Sequence, residues 1–253
     1  MRENRVHKVG NILDREFGNI EKPKGANQNS KQVKSKPIQK KVFKITKAYI
    51  WKLFKQFYQS ENGKLFIETE DSLKNIEPII KYFVHDESFF DCENLVKLFN
   101  KPSFDKGLLV IGPYGNGKTT IMKTVSKLFK HYQLPMRFNT VNAHDLVTEW
   151  ECIANQGDKS LFYERYTCKV LLIDDAKKER KASNYGISDV VGELLQKRYD
   201  QKLLTHITCN PVDGDEERCI ENALNEFNRY GGHMHDRLFE MFNIIEFKGK
   251  SFR

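Results

Sequence analysis

Apolar residues follow two different rhythms along this chain, and the change comes near Gly107. Before it the spacing is helical. KAYIWKLFKQFYQSENG gathers Tyr49, Trp51, Phe54, Phe57 and Tyr58 about one face with lysines between them. Asn62-Gly63 ends that pattern, because glycine tolerates the left-handed conformation at a helix end. A second helix is predicted after Asp71-Ser72 as its cap, with Leu73, Ile76, Ile79, Ile80 and Phe83 at spacings of three and four. Beyond Gly107, short apolar runs alternate with helical stretches. Strands are predicted at Leu108–Gly112, Met136–Val141, Lys169–Asp174, Leu203–Asn210 and Asn243–Phe247. Helices are predicted at Thr119–Tyr132, over NAHDLVTEW and at Ser188–Tyr199. Such alternation implies the α/β class, a mostly parallel sheet covered by helices on both faces.

Charge adds a third region. Residues 1–48 carry 13 Lys/Arg against 4 Asp/Glu, and the remainder carries 29 against 30. A lysine-rich stretch with Gly, Asn and Gln cannot bury enough apolar surface to fold, so a basic, disordered tail is expected over residues 1–47. It either holds nucleic-acid phosphates without sequence preference or serves only as a solubilising linker. Residues 48–100 then form a small helical region. Its aromatic stripe either packs on the neighbouring domain, the commoner use, or grips a partner. Residues 101–253 form the α/β domain. No apolar run approaches the ~20 residues that cross a bilayer. The opening MRENRVHKVGN lacks the apolar core of a secretory signal, so a cytoplasmic location without membrane attachment is expected.

Other chemistries find little support. The five cysteines are scattered and never spaced C-x-x-C, which argues for reduced thiols over disulfides or structural zinc. The seven histidines show no H-E-x-x-H spacing, and there is no G-x-S-x-G turn for a serine nucleophile.

One segment carries specific chemistry. Gly112, Pro113, Tyr114, Gly115, Asn116, Gly117, Lys118, Thr119 and Thr120 spell G-x-x-x-x-G-K-[ST] between a predicted strand and a predicted helix. The glycines let backbone N–H groups turn inward, and the helix N-terminus adds its positive end to a phosphate site. Lys118 can reach the β- and γ-phosphates of ATP, and the Thr119 hydroxyl can ligate Mg²⁺. Such a site also needs a carboxylate at the end of a neighbouring strand. KVLLIDD supplies Asp174 for the metal, and Asp175 to orient or activate the attacking water. Asp175 qualifies as a base only if its position allows. Thr208 and Asn210 end a further strand, where the Asn210 amide can bond the γ-phosphate or the water, or simply close a turn before Pro211.

In this order the pieces resemble the AAA+ ATPases of the DnaC/IstB type, replicative helicase loaders and transposition helpers, over roughly Phe104 to Arg253. GPYGNGKTT is similar to the family's Walker A loop, KVLLIDDA to its Walker B strand, and LLTHITCN to its sensor I strand ending in Asn210. HDRLFEMFNIIEFKGKSFR is similar to its D-R-L box followed by G-x-S-[YF]-R. The resemblance implies a P-loop NTPase (AAA+) fold with ATP and Mg²⁺ as ligands. It implies Arg237 as an arginine finger acting on a neighbouring subunit, and Arg253 as a sensor II contact within the chain. It implies a homo-oligomer in the ATP state, single-stranded DNA, and a replicative helicase or a transposase as partners. The family commonly has Asp-Glu where this chain has Asp174-Asp175, and the shorter arm predicts slow hydrolysis stimulated by assembly or DNA. A nucleotide-gated binding module with little hydrolysis is the alternative from another class.

Overall fold

A computed structural model describes residues 46–183, 186–211 and 219–251. The predicted tail up to residue 45, and Arg253, lie outside them.

Two helices come first: α1 (Lys47–Asn62), capped by the Thr46 hydroxyl and closed by Gly63 at φ 65°, and α2 (Glu70–Phe83). The second starts three residues earlier than predicted, at Glu70 and not at Leu73. Thr69 is its cap and Ser72 closes a capping box as the third helical residue, so Asp71-Ser72 lie inside the first turn. Strands β1 (Leu95–Val96) and β2 (Gly107–Ile111) follow, then α3 (Lys118–His131), β3 (Asn139–Asn142) and α4 (Ala143–Glu151). After these come α5 (Gln156–Thr167), β4 (Leu171–Asp174), a small hairpin of β5 (Ala182–Ser183) and β6 (Ile187–Ser188), and α6 (Val190–Asp200). The last elements are β7 (Thr205–Cys209), α7 (Cys219–Asn225), a 3₁₀ turn (Glu226–Tyr230), α8 (Gly232–Met241) and β8 (Phe242–Glu246).

Six strands form one sheet in the order β1-β8-β2-β7-β4-β3, with β1 antiparallel and the rest parallel. β2 is buried on both faces, which is why it reads as the unbroken apolar run GLLVI. Leu109 and Ile111 join the core under α4, α5, α6, α7 and α8. Leu108 and Val110 join the core under α1, α2 and α3. The aromatic face of α1 is thereby used in packing: Phe54 is fully buried, and Phe57 lies against His131 and Tyr132 at the end of α3. β1 belongs to the main sheet through its pairing with β8.

At the start of β2 the strands approach closely. A Cβ on Gly107 would stand 1.6 Å from the Thr205 carbonyl oxygen, so only glycine fits. Next to it, His206 Nδ1 accepts the Leu108 N–H at 3.0 Å, which puts the ring proton on Nε2. The ring is fully buried among Tyr82, Phe83 and Phe138. Burial first, and the Arg198 charge second, pull its pKa down to about 3. A histidine held neutral by the fold contributes stability that is complete above its unfolded pKa of about 6.5 and is lost as pH falls toward 3. Between pH 7.5 and pH 5 the native protein is therefore expected to lose about 2 kcal/mol through this group. His206→Asn keeps an acceptor and removes the titration. Denaturant unfolding of both proteins at the two pH values checks this, and an equal drop in both would refute it.

Candidate nucleotide site

β2 ends at Ile111 and α3 begins at Lys118, so residues 112–117 make the whole turn between sheet and helix. Its backbone is held from both sides. A Cβ on Gly112 would come within 2.6 Å of the Asn116 amide and of the Phe247 carbonyl. Asn116 is buried and donates to that same carbonyl at 3.2 Å, while Phe247 N–H donates to Ile111 O at 2.7 Å. Gly117, at φ 91°, stands where a side-chain cap would be, and α3 has no side-chain cap. The first amides of α3 thus keep their positive end directed at the turn. Tyr114 is exposed, with the Lys178 ammonium 3.6 Å above its ring. Pro113 is exposed as well.

Lys118 is buried under this turn, and its ammonium bonds Gly112 O at 2.7 Å, Pro113 O at 2.8 Å, Asn210 Oδ1 at 3.0 Å and Asn116 Oδ1 at 3.2 Å. Desolvation draws its pKa down to about 8. The same Asn210 amide donates from Nδ2 to Asp175 Oδ1 at 3.1 Å. One side chain therefore joins the phosphate-loop lysine to the second carboxylate of KVLLIDD. Asp175 sits at φ 56°, a left-handed conformation that aspartate adopts more readily than most residues, and its N–H donates to Thr208 Oγ1 at 3.1 Å.

Asp174 closes the floor. Its Oδ1 accepts from Thr119 Oγ1 at 2.8 Å and from Thr208 Oγ1 at 2.6 Å. Its Oδ2 is buried and receives no hydrogen bond among the described residues; the Lys123 ammonium, 2.8 Å away, answers it by charge alone. A hydroxyl beside a carboxylate with an under-satisfied oxygen is a donor set that fits a hard cation such as Mg²⁺.

A cavity of about 310 Å³ opens over these groups, lined by Tyr114, Gly115, Gly117, Lys118, Thr119, Thr120, Asp175 and Asn210. The structure thus brings together the predicted loop, Asp174, Asp175 and Asn210. Its far wall was not foreseen: Tyr58, Asn62 and Lys64, from the end of α1 and the loop after it. No local motif marks those three. Lys123, by contrast, was within reach of sequence reasoning, since it lies one helical turn beyond Thr119 on the same face.

Arg237 does not line this cavity. It projects from α8, where it hydrogen-bonds Gln196 and lies 4.4 Å over the Tyr199 ring, both on α6. The loop beyond Asp175 is tied toward the same region. Lys177 pairs with Glu226 at 2.6 Å, and Tyr230 hydroxyl donates to the buried Glu179 at 2.8 Å. Among the described residues no helix is long and apolar enough to cross a membrane.

Comparison with known proteins points the same way as the geometry. Residues 108–229 match the model of the ATPase family associated with various cellular activities (AAA). The chain is similar to the crystal structure of the DnaC helicase loader, with a TM-score of 0.53 and 22% identity, over 76% of this chain and 98% of that one. Similarity extends to DnaI, with a TM-score of 0.48 and 19% identity over 76% of this chain and 93% of that one. It extends also to AMPPCP-bound DnaA from Aquifex aeolicus, with a TM-score of 0.42 and 18% identity over 72% and 48%. A search of curated proteins returns no match. The fold is that of an AAA-type P-loop NTPase, as the motif order predicted.

Proposed function

A chain whose residues 108–229 match the AAA ATPase family is the premise from which we propose that it binds ATP with Mg²⁺ and hydrolyses it slowly. We further propose that it serves DNA replication as an accessory factor that loads a replicative helicase. The observation that carries the reading is the continuous set Lys118–Asn210–Asp175 beside Thr119–Asp174. It lies at the carboxyl ends of adjacent parallel strands, where ligands of open α/β sheets bind, and supports a reading in which these side chains serve the phosphates, the attacking water and the metal.

In this reading the Lys118 ammonium exchanges its bonds to the loop's own carbonyls for phosphate oxygens, joined there by the N-terminal amides of α3. Gly115 and Gly117, at φ 78° and 91°, keep side chains out of the way. Thr119 and Asp174 hold the magnesium, which when bound neutralises charge on the phosphate oxygens. Asn210 keeps Asp175 at a fixed place in the cavity and stands ready to bond the γ-phosphate. Asp175 accepts a proton from the attacking water. Its arm is one methylene shorter than a glutamate's, which supports slow turnover in the isolated chain. Arg237 completes the site of an adjoining protomer and Arg253 contacts the nucleotide of its own chain.

The replication role draws on the similarity to a structure described as a helicase loader over nearly all of that chain, and on the basic tail, suited to phosphate backbones. Phosphate release from Mg-ATP, measured with and without single-stranded DNA, tests both halves. Release that rises with DNA is expected. Binding without release under either condition would make the chain a nucleotide-gated module, and release indifferent to DNA would remove the replication role.

A further inference from the structure

Asp174 and Lys123 form an ion pair whose two ends are unlike. The Asp174 side chain is 1% exposed and the Lys123 side chain 41%. Oδ1 of Asp174 accepts from the Thr119 and Thr208 hydroxyls. Oδ2 receives no hydrogen bond among the described residues, and the Lys123 ammonium stands 2.8 Å from it. Lys118 is engaged elsewhere, by oxygens of Gly112, Pro113, Asn116 and Asn210. Lys123 lies four residues beyond Thr119 on the same face of α3, and helical side chains lean toward the N-terminus, which brings its ammonium back to the first turn. Its head can return to water by a rotation of its own stem. The buried carboxylate has no such exit, and without a cation beside it would be an uncompensated charge.

We infer that Lys123 is a tethered counter-cation of the nucleotide site, which lets the site accept a triphosphate without a metal and competes with Mg²⁺ for the Asp174 carboxylate. The inference rests on the nucleotide-site reading above. A triphosphate held by Lys118 beside Thr119 comes close to Asp174, a charge of its own sign. Repulsion of that kind is strong in a site shielded from water. The Lys123 charge offsets it, so the phosphates meet a carboxylate already paired. A hard cation needs an oxygen of the same carboxylate. Oδ1 already accepts two hydroxyls, so Oδ2 is the oxygen with room, and the ammonium stands at its approach. Two cations at one oxygen repel each other. The lysine is the one free to leave, being a hydrated point charge on a flexible four-carbon stem. A metal at this site therefore gains less than it would beside a bare carboxylate, because part of its attraction is spent on separating an ion pair. Nucleotide binding and metal binding become separable events, and the residue that separates them is Lys123.

The test is the affinity of the full chain for a fluorescent ATP analogue, measured once in EDTA and once in saturating Mg²⁺. The native protein is expected to bind in both media, with dissociation constants within about tenfold of each other. Lys123→Met keeps the length of the stem and removes the charge. It should weaken binding in EDTA by about tenfold and strengthen binding in Mg²⁺, so the ratio of the two constants rises more than tenfold. Lys123→Arg keeps a cation and should keep the native ratio. A role in packing alone would move both constants together and leave the ratio as it was. An unchanged ratio in Lys123→Met, or a native protein that binds only in Mg²⁺, overturns the counter-cation, and the phosphate site still stands if Lys118→Ala weakens binding. Binding that Lys118→Ala weakens in neither medium overturns the site itself.

Discussion

Lys118→Ala is expected to lower the affinity for ATP by about two to three orders of magnitude. The Nζ of Lys118 is the buried cation under the loop, held by four oxygens within 3.2 Å. A charged hydrogen bond contributes about 1.5–3 kcal/mol, and Lys118 supplies more than one of them to a triphosphate in a site shielded from water. Alanine also leaves the oxygens of Gly112, Pro113 and Asn210 facing the phosphates with nothing between them, which adds repulsion to the loss. Titration with a fluorescent ATP analogue measures the change directly. The pKa of about 8 adds a second, independent reading. The free lysine is a cation below that value and neutral above it, so affinity in the native protein should fall about tenfold between pH 7 and pH 9. Lys118→Ala should show no such fall. Equal pH profiles in the two proteins would mean that another group is responsible.

Arg237→Ala is expected to leave ATP binding intact and to reduce assembly-dependent hydrolysis about a thousandfold, the lower end of what an arginine placed by a neighbour contributes. Within its own chain Arg237 lies away from the cavity, against Gln196 and Tyr199 on α6. An arginine on a helix so placed can act on a triphosphate only across an interface, and guanidinium geometry matches phosphate oxygens in a way lysine does not. Mixing two inactive proteins separates this from a structural role. Lys118→Ala retains Arg237 but leaves its own site empty at ATP concentrations that fill the native one, while Arg237→Ala binds ATP but lacks the arginine. Phosphate release that reappears on mixing requires the arginine of one protomer at the ATP of another. A mixture as silent as its components would assign Arg237 to the packing of α8 on α6.

The two variants also show which parts of the molecule a sequence can reveal. The phosphate loop is legible because its demands are local: glycines where side chains cannot go, a lysine and a threonine at the first turn of a helix. Asp174 is legible because a buried parallel strand reads as an apolar run and its carboxyl end follows. Helix α5 was missed because its apolar residues form no single stripe; Phe162 is buried while Leu161 is exposed. β1 has two residues, too few for any period. The third strand was predicted from Met136, whereas the sheet pairs only Asn139–Asn142 with β4, and Met136 itself takes φ 61°, outside any strand. The wall of Tyr58, Asn62 and Lys64 depends on two helices meeting over 60 residues of chain, and no periodicity within either helix records that meeting. The aromatic face of α1 pointed to packing on the neighbouring domain or to a partner, and the structure uses it in packing.

The order of synthesis follows from the place of β8. It is made after every other strand of the sheet, yet it stands between β1 and β2. On the ribosome, at about 5–20 residues per second, the stretch from Ile111 to Phe242 takes roughly 7–26 s to translate. Until β7 is made the strand that leads into the phosphate loop has both edges bare, and until β8 is made it keeps one bare edge while Asn116 has no Phe247 carbonyl to hold. An exposed apolar strand edge invites pairing with other chains. A product released before Phe242 would lack both a closed sheet and a braced nucleotide loop.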